Sequence, residues 1–397
     1  MLAEVSDAIL SACAAVLLVP VAVFTIEVVA AITQRRIVFS EIGTRMTVAI
    51  LIPAHNEETG ISATLRSIIP QLRDRDRIIV VADNCTDETG TIAQSEGAEV
   101  IRRTDPENRG KGYALDFGIQ HLKSNSPDIL IIIDADCQVE PEAIDSLARV
   151  CANYQRPVQA QYLMRNQSDA PLRMRIAEFA WIVKNLMRPL GLAKLGLPCQ
   201  LMGSGMAFPW ATISNIDLAN SHIVEDMKIG LDMTLLGVAP IFCPDAVVLS
   251  FFPSHEQGIK DQRTRWEHGH LSMILNEAPK ALLQGAVRAD ISILAIALDL
   301  CVPPLALLGM LVAVFWLVTA IFFTISGHSS PLLITSCDAG LFELAVFAAW
   351  VTNGRRVISF SSLVSAGFYS LWKVPVYMRF VFSRQREWVR SKRDKDG

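Results

Sequence analysis

Two carboxylates spaced i, i+2, Asp134 and Asp136, follow directly on the unbroken apolar run Ile129-Leu130-Ile131-Ile132-Ile133. Such a run of β-branched and leucine side chains reads as a strand buried on both faces, as in a parallel sheet. Open parallel sheets bind their ligands in the crevice beyond the carboxyl ends of the strands. Two acids in that place need a cation or solvent, because a buried uncompensated charge is costly. Hard oxygen ligands there suit Mg²⁺ or Mn²⁺ shared with a substrate diphosphate. The alternative is a pair of solvated loop aspartates at the start of a helix from Glu140. Further polar segments are Pro53-Ala54-His55-Asn56-Glu57, Asp83-Asn84-Cys85-Thr86-Asp87, Val224-Glu225-Asp226 and Gln262-Arg263-Thr264-Arg265-Trp266. His55, His255, His268 and His270 show no metal-ligand spacing.

The elements that must position these groups alternate strand and helix from residue 46 onward. Residues 48–52, 77–81, 98–102 and 129–133 read as strands, with helices following to residue 69 and from Lys111 to Leu122. That alternation predicts a doubly wound, mostly parallel α/β sheet. Residues 158–164 and 241–251 read as further strands, and Gly203-Ser204-Gly205 as a turn entering another. One helix is predicted over 257–283. The absence of GxGxxG and of a P-loop argues against a dinucleotide dehydrogenase or a P-loop NTPase.

Both ends of the chain are apolar. Of 397 residues, 51% are hydrophobic and 19% charged, with mean hydropathy +0.34. Residues 10–32 are long enough to span a bilayer, and Met1-Leu2-Ala3-Glu4 lacks the positive region of a secretory signal. Arg35 and Arg36 follow at once, which places the next segment in the cytoplasm. Residues 172–195 mix Arg173, Arg175, Lys184, Arg188 and Lys194 with aromatic and aliphatic side chains, so an interfacial helix with its cations toward lipid phosphates is one expectation and an ordinary amphipathic surface helix the other. Toward the C-terminus, Pro303-Pro304 splits a long apolar run, and crossings are expected near 305–324 and 332–352, with 357–382 interfacial or re-entrant. Arg355, Arg356 and the basic tail 384–397 are expected to be cytoplasmic. Asp299, Asp338, Glu343 and Lys373 within or beside these runs are expected to pair helices rather than line an aqueous path. The net charge of −4 gives no reason to expect nucleic acid, and eight scattered cysteines without CxxC are read as reduced thiols.

Six of these segments in this order resemble the cellulose synthase-like branch of the family 2 inverting glycosyltransferases: Pro53-Ala54-His55-Asn56-Glu57, Asp83-Asn84-Cys85-Thr86-Asp87, Gly110-Lys111-Gly112-Tyr113-Ala114-Leu115, Asp134-Ala135-Asp136, Val224-Glu225-Asp226 and Gln262-Arg263-Thr264-Arg265-Trp266. The resemblance covers residues 46–285 and implies a GT-A-like fold with interfacial helices and flanking transmembrane helices. It implies a donor site of Pro53, His55, Asn56, Glu57, Asp83, Lys111 and Asp134, and a Mg²⁺ or Mn²⁺ site at Asp134 and Asp136. Asp226, beside Glu225, falls on the family's general base. Gln262, Arg263, Arg265 and Trp266 fall on its pyrophosphate and acceptor segment. Three departures are visible: Val224 stands where the family commonly has Thr, the Asp83-Asn84-Cys85-Thr86-Asp87 turn carries an amide in place of its middle acid, and Pro209-Trp210 replaces a basic pair after the Gly203–Phe208 turn.

The resulting expectation is a multi-pass enzyme of the inner (plasma) membrane with a cytoplasmic catalytic body. It would move a sugar from a nucleotide sugar, expected to be UDP-linked, to a growing polysaccharide or lipid-linked glycan, with membrane lipids and secretion or polymerisation subunits as candidate partners. The linear division implied is an anchor over 1–36, a catalytic domain over 46–252, interfacial helices over 253–290, a membrane region over 291–383 and the tail 384–397. A single-sugar transferase to polyprenyl phosphate, and a non-catalytic membrane scaffold with a transferase-like body, are the alternatives.

Overall fold

The computed structural model describes residues 2–33, 37, 45–166, 169–219, 224–252, 256–370 and 373–382, without the side chains of 2, 256–263, 368–370, 379, 381 and 382. Along the chain the helices are α1 (Leu2–Ile32), α2 (Ile61–Ile68), α3 (Thr89–Ser95), α4 (Lys111–Leu122), α5 (Ala143–Tyr154), α6 (Leu172–Ile182), α7 (Arg188–Lys194) and α8 (Trp210–Ile213). They continue as α9 (Glu225–Leu235), α10 (Glu256–Asn276), α11 (Ala278–Arg288), α12 (Ile291–Leu300), α13 (Leu305–Ser326), α14 (Ser330–Ala349), α15 (Phe360–Ser370) and α16 (Val374–Phe382). The chain packs as two compact units. Residues 37–167 and 198–269 belong to one unit; residues 1–36, 168–197 and 270–384 belong to the other.

The first unit is built on eight strands: β1 (Val48–Ala54), β2 (Arg77–Asp83), β3 (Glu99–Arg103), β4 (Ile129–Ile132), β5 (Gln138–Val139), β6 (Val158–Arg165), β7 (Met206–Pro209) and β8 (Ile241–Phe251). Their order is β3-β2-β1-β4-β7-β6-β8-β5. Strands β3, β2, β1 and β4 are mutually parallel, β7 runs antiparallel to β4 and β6, β8 is parallel to β6, and β5 is antiparallel to β8. The expected mostly parallel sheet is therefore present as a parallel half extended by a mixed half. Leu51, Ile79, Leu130 and Ile132 of the parallel half pack with Leu115 and Ile119 of α4 and Ile229 of α9 in one core. Each is buried, and burying such a side chain fully contributes about 1.5–3 kcal/mol. A buried pair anchors the entry to β1: Arg45 Nη1 donates to Asp76 Oδ2 at 2.6 Å, and Val48 N donates to Asp76 Oδ1 at 3.0 Å.

Two sequence expectations are corrected here. The helix after the paired acids starts at Ala143 instead of Glu140, because β5 intervenes and pairs with β8. The single helix expected over 257–283 is two, α10 and α11, with Pro279 in the first turn of α11. Proline there has no N–H to give back to α10 and is well suited to opening a new helix.

In the second unit, α1, α13 and α14 (the last continuing to Gly354) are long and apolar enough to cross a membrane. Within it, Thr25 Oγ1 of α1 donates to the Leu341 carbonyl of α14 at 3.3 Å, and Phe24 meets Phe342 at 5.8 Å between ring centres. α13 starts directly after Pro303-Pro304. Helices α15 and α16, at 11 and 9 residues, are each too short for a crossing.

Residues 172–195 form α6 and α7 joined by a π-helical turn over Val183–Met187. The interfacial expectation for their cations is corrected for two of them. Arg188 is buried: its Nε donates to Glu27 Oε2 at 2.6 Å and its Nη2 to Asp299 Oδ1 at 2.5 Å. Lys194 Nζ donates to the carbonyls of Ala31 and Thr33 at 2.6 Å each, where the dipole of α1 favours a cation. Glycine is required at 191, since a Cβ there would lie 1.8 Å from the Glu27 carbonyl oxygen. Asp299 thus pairs helices, as expected from its place beside an apolar run. Asp338 is buried in α14, and neither carboxylate oxygen has a hydrogen-bond partner among the described residues.

Candidate active site

Because β1, β2 and β4 are parallel, the loops that follow them open on one edge of the sheet. After β1, His55 Nδ1 donates to the Asp83 carbonyl at 2.7 Å, and Asn56 Oδ1 accepts from Thr86 N at 2.7 Å. Glu57 N donates to Thr89 Oγ1 at 2.7 Å. These bonds tie the Pro53–Glu57 segment to the Asp83–Thr89 segment. Asn56 and Asn84 both sit at positive φ (54° and 51°), a conformation asparagine tolerates better than most residues and one that clusters at binding loops. Asp83 ends β2 with its carboxylate bound to Arg103 Nη1 at 2.7 Å. Arg103 was not singled out from the sequence, and it satisfies part of a carboxylate that otherwise reads as wholly a ligand.

Asp134 and Asp136 follow β4. The peptide between them is pinned, since Thr64 Oγ1 donates to the Ala135 carbonyl at 2.8 Å. Ligand atoms of Asp134, Asp136 and Cys137 lie within 4.8 Å of one another. The two carboxylates are half-buried and suit a hard divalent cation. Cys137 does not fit that role: burial, then Asp136 and Asp134, push its thiol well above its ordinary value, and a thiol coordinates as the thiolate. Burial also raises Asp134, against the pull of Lys111 and with the push of Asp136.

Lys111 opens α4, whose first residue follows Gly110 at φ 134°. Its Nζ donates to Asp134 Oδ1 and, at 2.7 Å, to the Gly203 carbonyl. Burial works against its charge, but Asp134, Glu225 and Asp226 outweigh it and hold the ammonium well above its usual value. Glu225 and Asp226 occupy the first turn of α9, the end where carboxylates are favoured by the helix dipole. Burial pushes Glu225 up to about 7, Lys111 opposing and Asp226 adding. A Cβ on Gly203 would lie 3.4 Å from Asp226 Oδ2. Arg265, on α10, has its value lowered by burial while Glu225, Asp134 and Asp226 draw it the other way. Five charged groups read from the sequence (Lys111, Asp134, Glu225, Asp226 and Arg265) therefore meet in one electrostatic neighbourhood, with Asp136 beside Asp134.

Trp266 follows Arg265 and is half-buried. Gln262 and Arg263 lie on α10, but their side chains fall outside the described residues, as does His255. The backbone around Gly203 and Ser204 supports the site in a way that residue types alone do not show. Ser204 Oγ accepts from Asp134 N at 3.0 Å and donates to Cys137 Sγ at 3.3 Å. The Gly-Ser-Gly spelling was the available signal, since Gly203 and Gly205 adopt φ 93° and 68°.

A parallel half-sheet continued by an antiparallel strand, with acids of separate loops gathered at its edge, defines the GT-A-like class. The chain covers 95% of its own length and 100% of the mannosyltransferase PcManGT from Pyrobaculum calidifontis, solved with GDP-Man and Mn²⁺, at TM-score 0.58 and 15% identity, a likeness of fold. The chain belongs to the glycosyltransferase-like family 2, whose model matches residues 45–269. It is 29% identical over 237 residues, 57% of this chain and 56% of the relative, to the probable glycosyltransferase YdaM of Bacillus subtilis (strain 168). It is 28% identical over 236 residues to the 4,4'-diaponeurosporenoate glycosyltransferase of Staphylococcus aureus (strain USA300), covering 56% of this chain and 60% of that one. In both cases the matched part spans less than two thirds of the relative.

Proposed function

We propose that this family 2 glycosyltransferase is a membrane-bound inverting enzyme of the cellulose synthase-like branch, acting at the cytoplasmic face of the inner membrane. Its donor is a nucleotide sugar, UDP-linked by preference, and its acceptor a growing polysaccharide or lipid-linked glycan. The observation that carries this reading is the meeting of Asp134, Asp226, Glu225, Lys111 and Arg265 from four separate elements. Membrane residence is supported by the three apolar helices of crossing length and by Arg35 and Arg36 after the first.

Loops after β1 and β2 offer backbone and side-chain partners to the base and ribose, including His55, Asn56, Glu57 and Asp83. Asp134 and Asp136 would hold Mg²⁺ or Mn²⁺, which would supply Lewis-acid compensation for charge on the departing diphosphate. Asp226 takes the proton from the acceptor hydroxyl. That oxygen bonds to the anomeric carbon from the face opposite the leaving group, the carbon–oxygen bond to the diphosphate breaks, and the nucleoside diphosphate departs with the electron pair. Lys111 and Arg265 place positive charge beside the separating oxygens. Trp266 offers an aromatic face to the acceptor.

The test is a donor screen on detergent-purified protein, with mass spectrometry of lipid and polymer products. One nucleotide sugar is expected to yield a lengthened acceptor and free nucleoside diphosphate in the presence of Mn²⁺. A non-catalytic scaffold would show none with any donor, in wild type or Asp226→Asn alike.

A further inference from the structure

β6 runs through the core of the catalytic unit, yet Gln159 on it is a polar side chain with 0% exposure. A buried amide of this kind is retained only when its hydrogen bonds are made. Both of its ends are spent on the same short loop. Gln159 Oε1 accepts from Met202 N at 2.8 Å, and Nε2 donates to the Ser204 carbonyl at 2.9 Å and to the Ala160 carbonyl at 2.9 Å. The amide thus brackets Gly203 from both sides.

The bracketed loop is the one on which the charged groups rest. Gly203 gives its carbonyl to Lys111 Nζ, and Ser204 gives its hydroxyl oxygen to Asp134 N. The loop is held at both margins: Gly205 N donates to the Ile132 carbonyl at 3.0 Å, and Ala160 N donates to the Gly205 carbonyl at 2.8 Å. A Cβ at Gly205 would meet Ala160 Cβ at 2.7 Å, so the loop packs directly against β6 there. A Cβ at 203 would lie 3.4 Å from Asp226 Oδ2 and 3.9 Å from Lys111 Nζ. The 202–204 backbone therefore borders both the Asp134–Lys111 pair and Asp226.

We infer that Gln159 is a positioning residue, which by clamping residues 202–204 sets the separation between the cation-side acid Asp134 and Asp226. The inference rests on the transferase reading above. Gln159 touches no substrate; it acts through Gly203 and Ser204. Displacement of reacting groups by a fraction of an ångström lowers turnover far more than it lowers ground-state binding.

The experiment compares wild type, Gln159→Leu and Gln159→Glu as full-length protein in detergent. Thermal unfolding, Mn²⁺ affinity by electron paramagnetic resonance, and kcat and KM for the active donor are measured on each. Gln159→Glu keeps the acceptor for Met202 N and removes the donor to Ser204, so it should fall between the other two. Expected is a loss of kcat of about tenfold or more in Gln159→Leu, with donor KM within about threefold and a partial loss in Gln159→Glu. Equal kcat in wild type and Gln159→Leu overturns the inference, and so does a fall in activity that merely follows the folded fraction in both variants. If Gln159→Leu does not fold, Gln159→Glu decides by the same split. Failure of the transferase reading looks different: wild type itself then turns over no donor.

Discussion

Lys111 is the residue through which the charges of the site are most plainly coupled. Its ammonium sits on Asp134 and the Gly203 carbonyl, with Glu225 and Asp226 close enough to raise its value. An ammonium on a carboxylate competes with a divalent ion for the same oxygens, while it attracts a diphosphate. Lys111→Met should therefore bind Mn²⁺ alone about threefold or more tighter and raise the donor KM by a comparable factor, since near-surface charges at these separations interact by a few kcal/mol at most. Mn²⁺ titration and initial rates read both; a weaker Mn²⁺ site would contradict this. At the residue scale the acids were legible because carboxylates after apolar runs are unusual. Arg103, which partners Asp83, and Gln159 were not, because an arginine at the end of a strand and an amide within one carry no signal until the pairing across the sheet is known.

At the element scale, the parallel strands announced themselves as unbroken apolar runs, and β5 did not because it is two residues long. The break between α10 and α11 was marked by Pro279, yet the apolar pattern across it masked the stop. Helix α7 shows what sequence periodicity misses. Its cations look like surface charge, but Arg188 is buried between Glu27 and Asp299, and its neighbour Gly191 lets α7 touch the backbone of α1. Gly191→Ala puts a Cβ into that backbone and should cost about 3 kcal/mol, read as a lowered midpoint of thermal unfolding. An unchanged midpoint would mean that α1 and α7 do not meet this way.

His270, where α10 enters the helical unit, adds a pH dependence. Its Nε2 donates to the Leu300 carbonyl at 3.1 Å, and burial, then Lys184 and Arg188, lower its value from 6.5 to about 3. The folded protein keeps this ring neutral while the unfolded chain takes up a proton below 6.5. Stability from this group is complete above that value and declines as pH falls toward 3. His270→Asn should flatten the loss of unfolding midpoint between pH 6.5 and 4 by a measurable part. A profile identical to wild type over that window would remove His270 from the account.

For the molecule as a whole, the class of fold was readable from strand–helix alternation alone, and the family from the order of six short segments. The grouping into units was not readable, because α6 and α7 lie between β6 and β7 in sequence, yet Arg188 of α7 bonds to Glu27 of α1 and Asp299 of α12. Long-range pairing of that kind is set by side chains such as Arg188, whose partners lie 161 and 111 residues away. Among the described residues the apolar C-terminal runs hold two crossing-length helices, α13 and α14, and three shorter ones, α12, α15 and α16.

The gathering of acids from separate loops about one cation is tested most directly by Mn²⁺ binding and nucleoside diphosphate release measured together on wild type, Asp134→Ala and Asp226→Asn. Wild type should bind Mn²⁺ and release the diphosphate. Asp134→Ala should lose both, and Asp226→Asn should keep the ion while turnover falls by about a hundredfold or more. Mn²⁺ binding unaffected by Asp134→Ala, or full turnover in Asp226→Asn, would contradict the arrangement described.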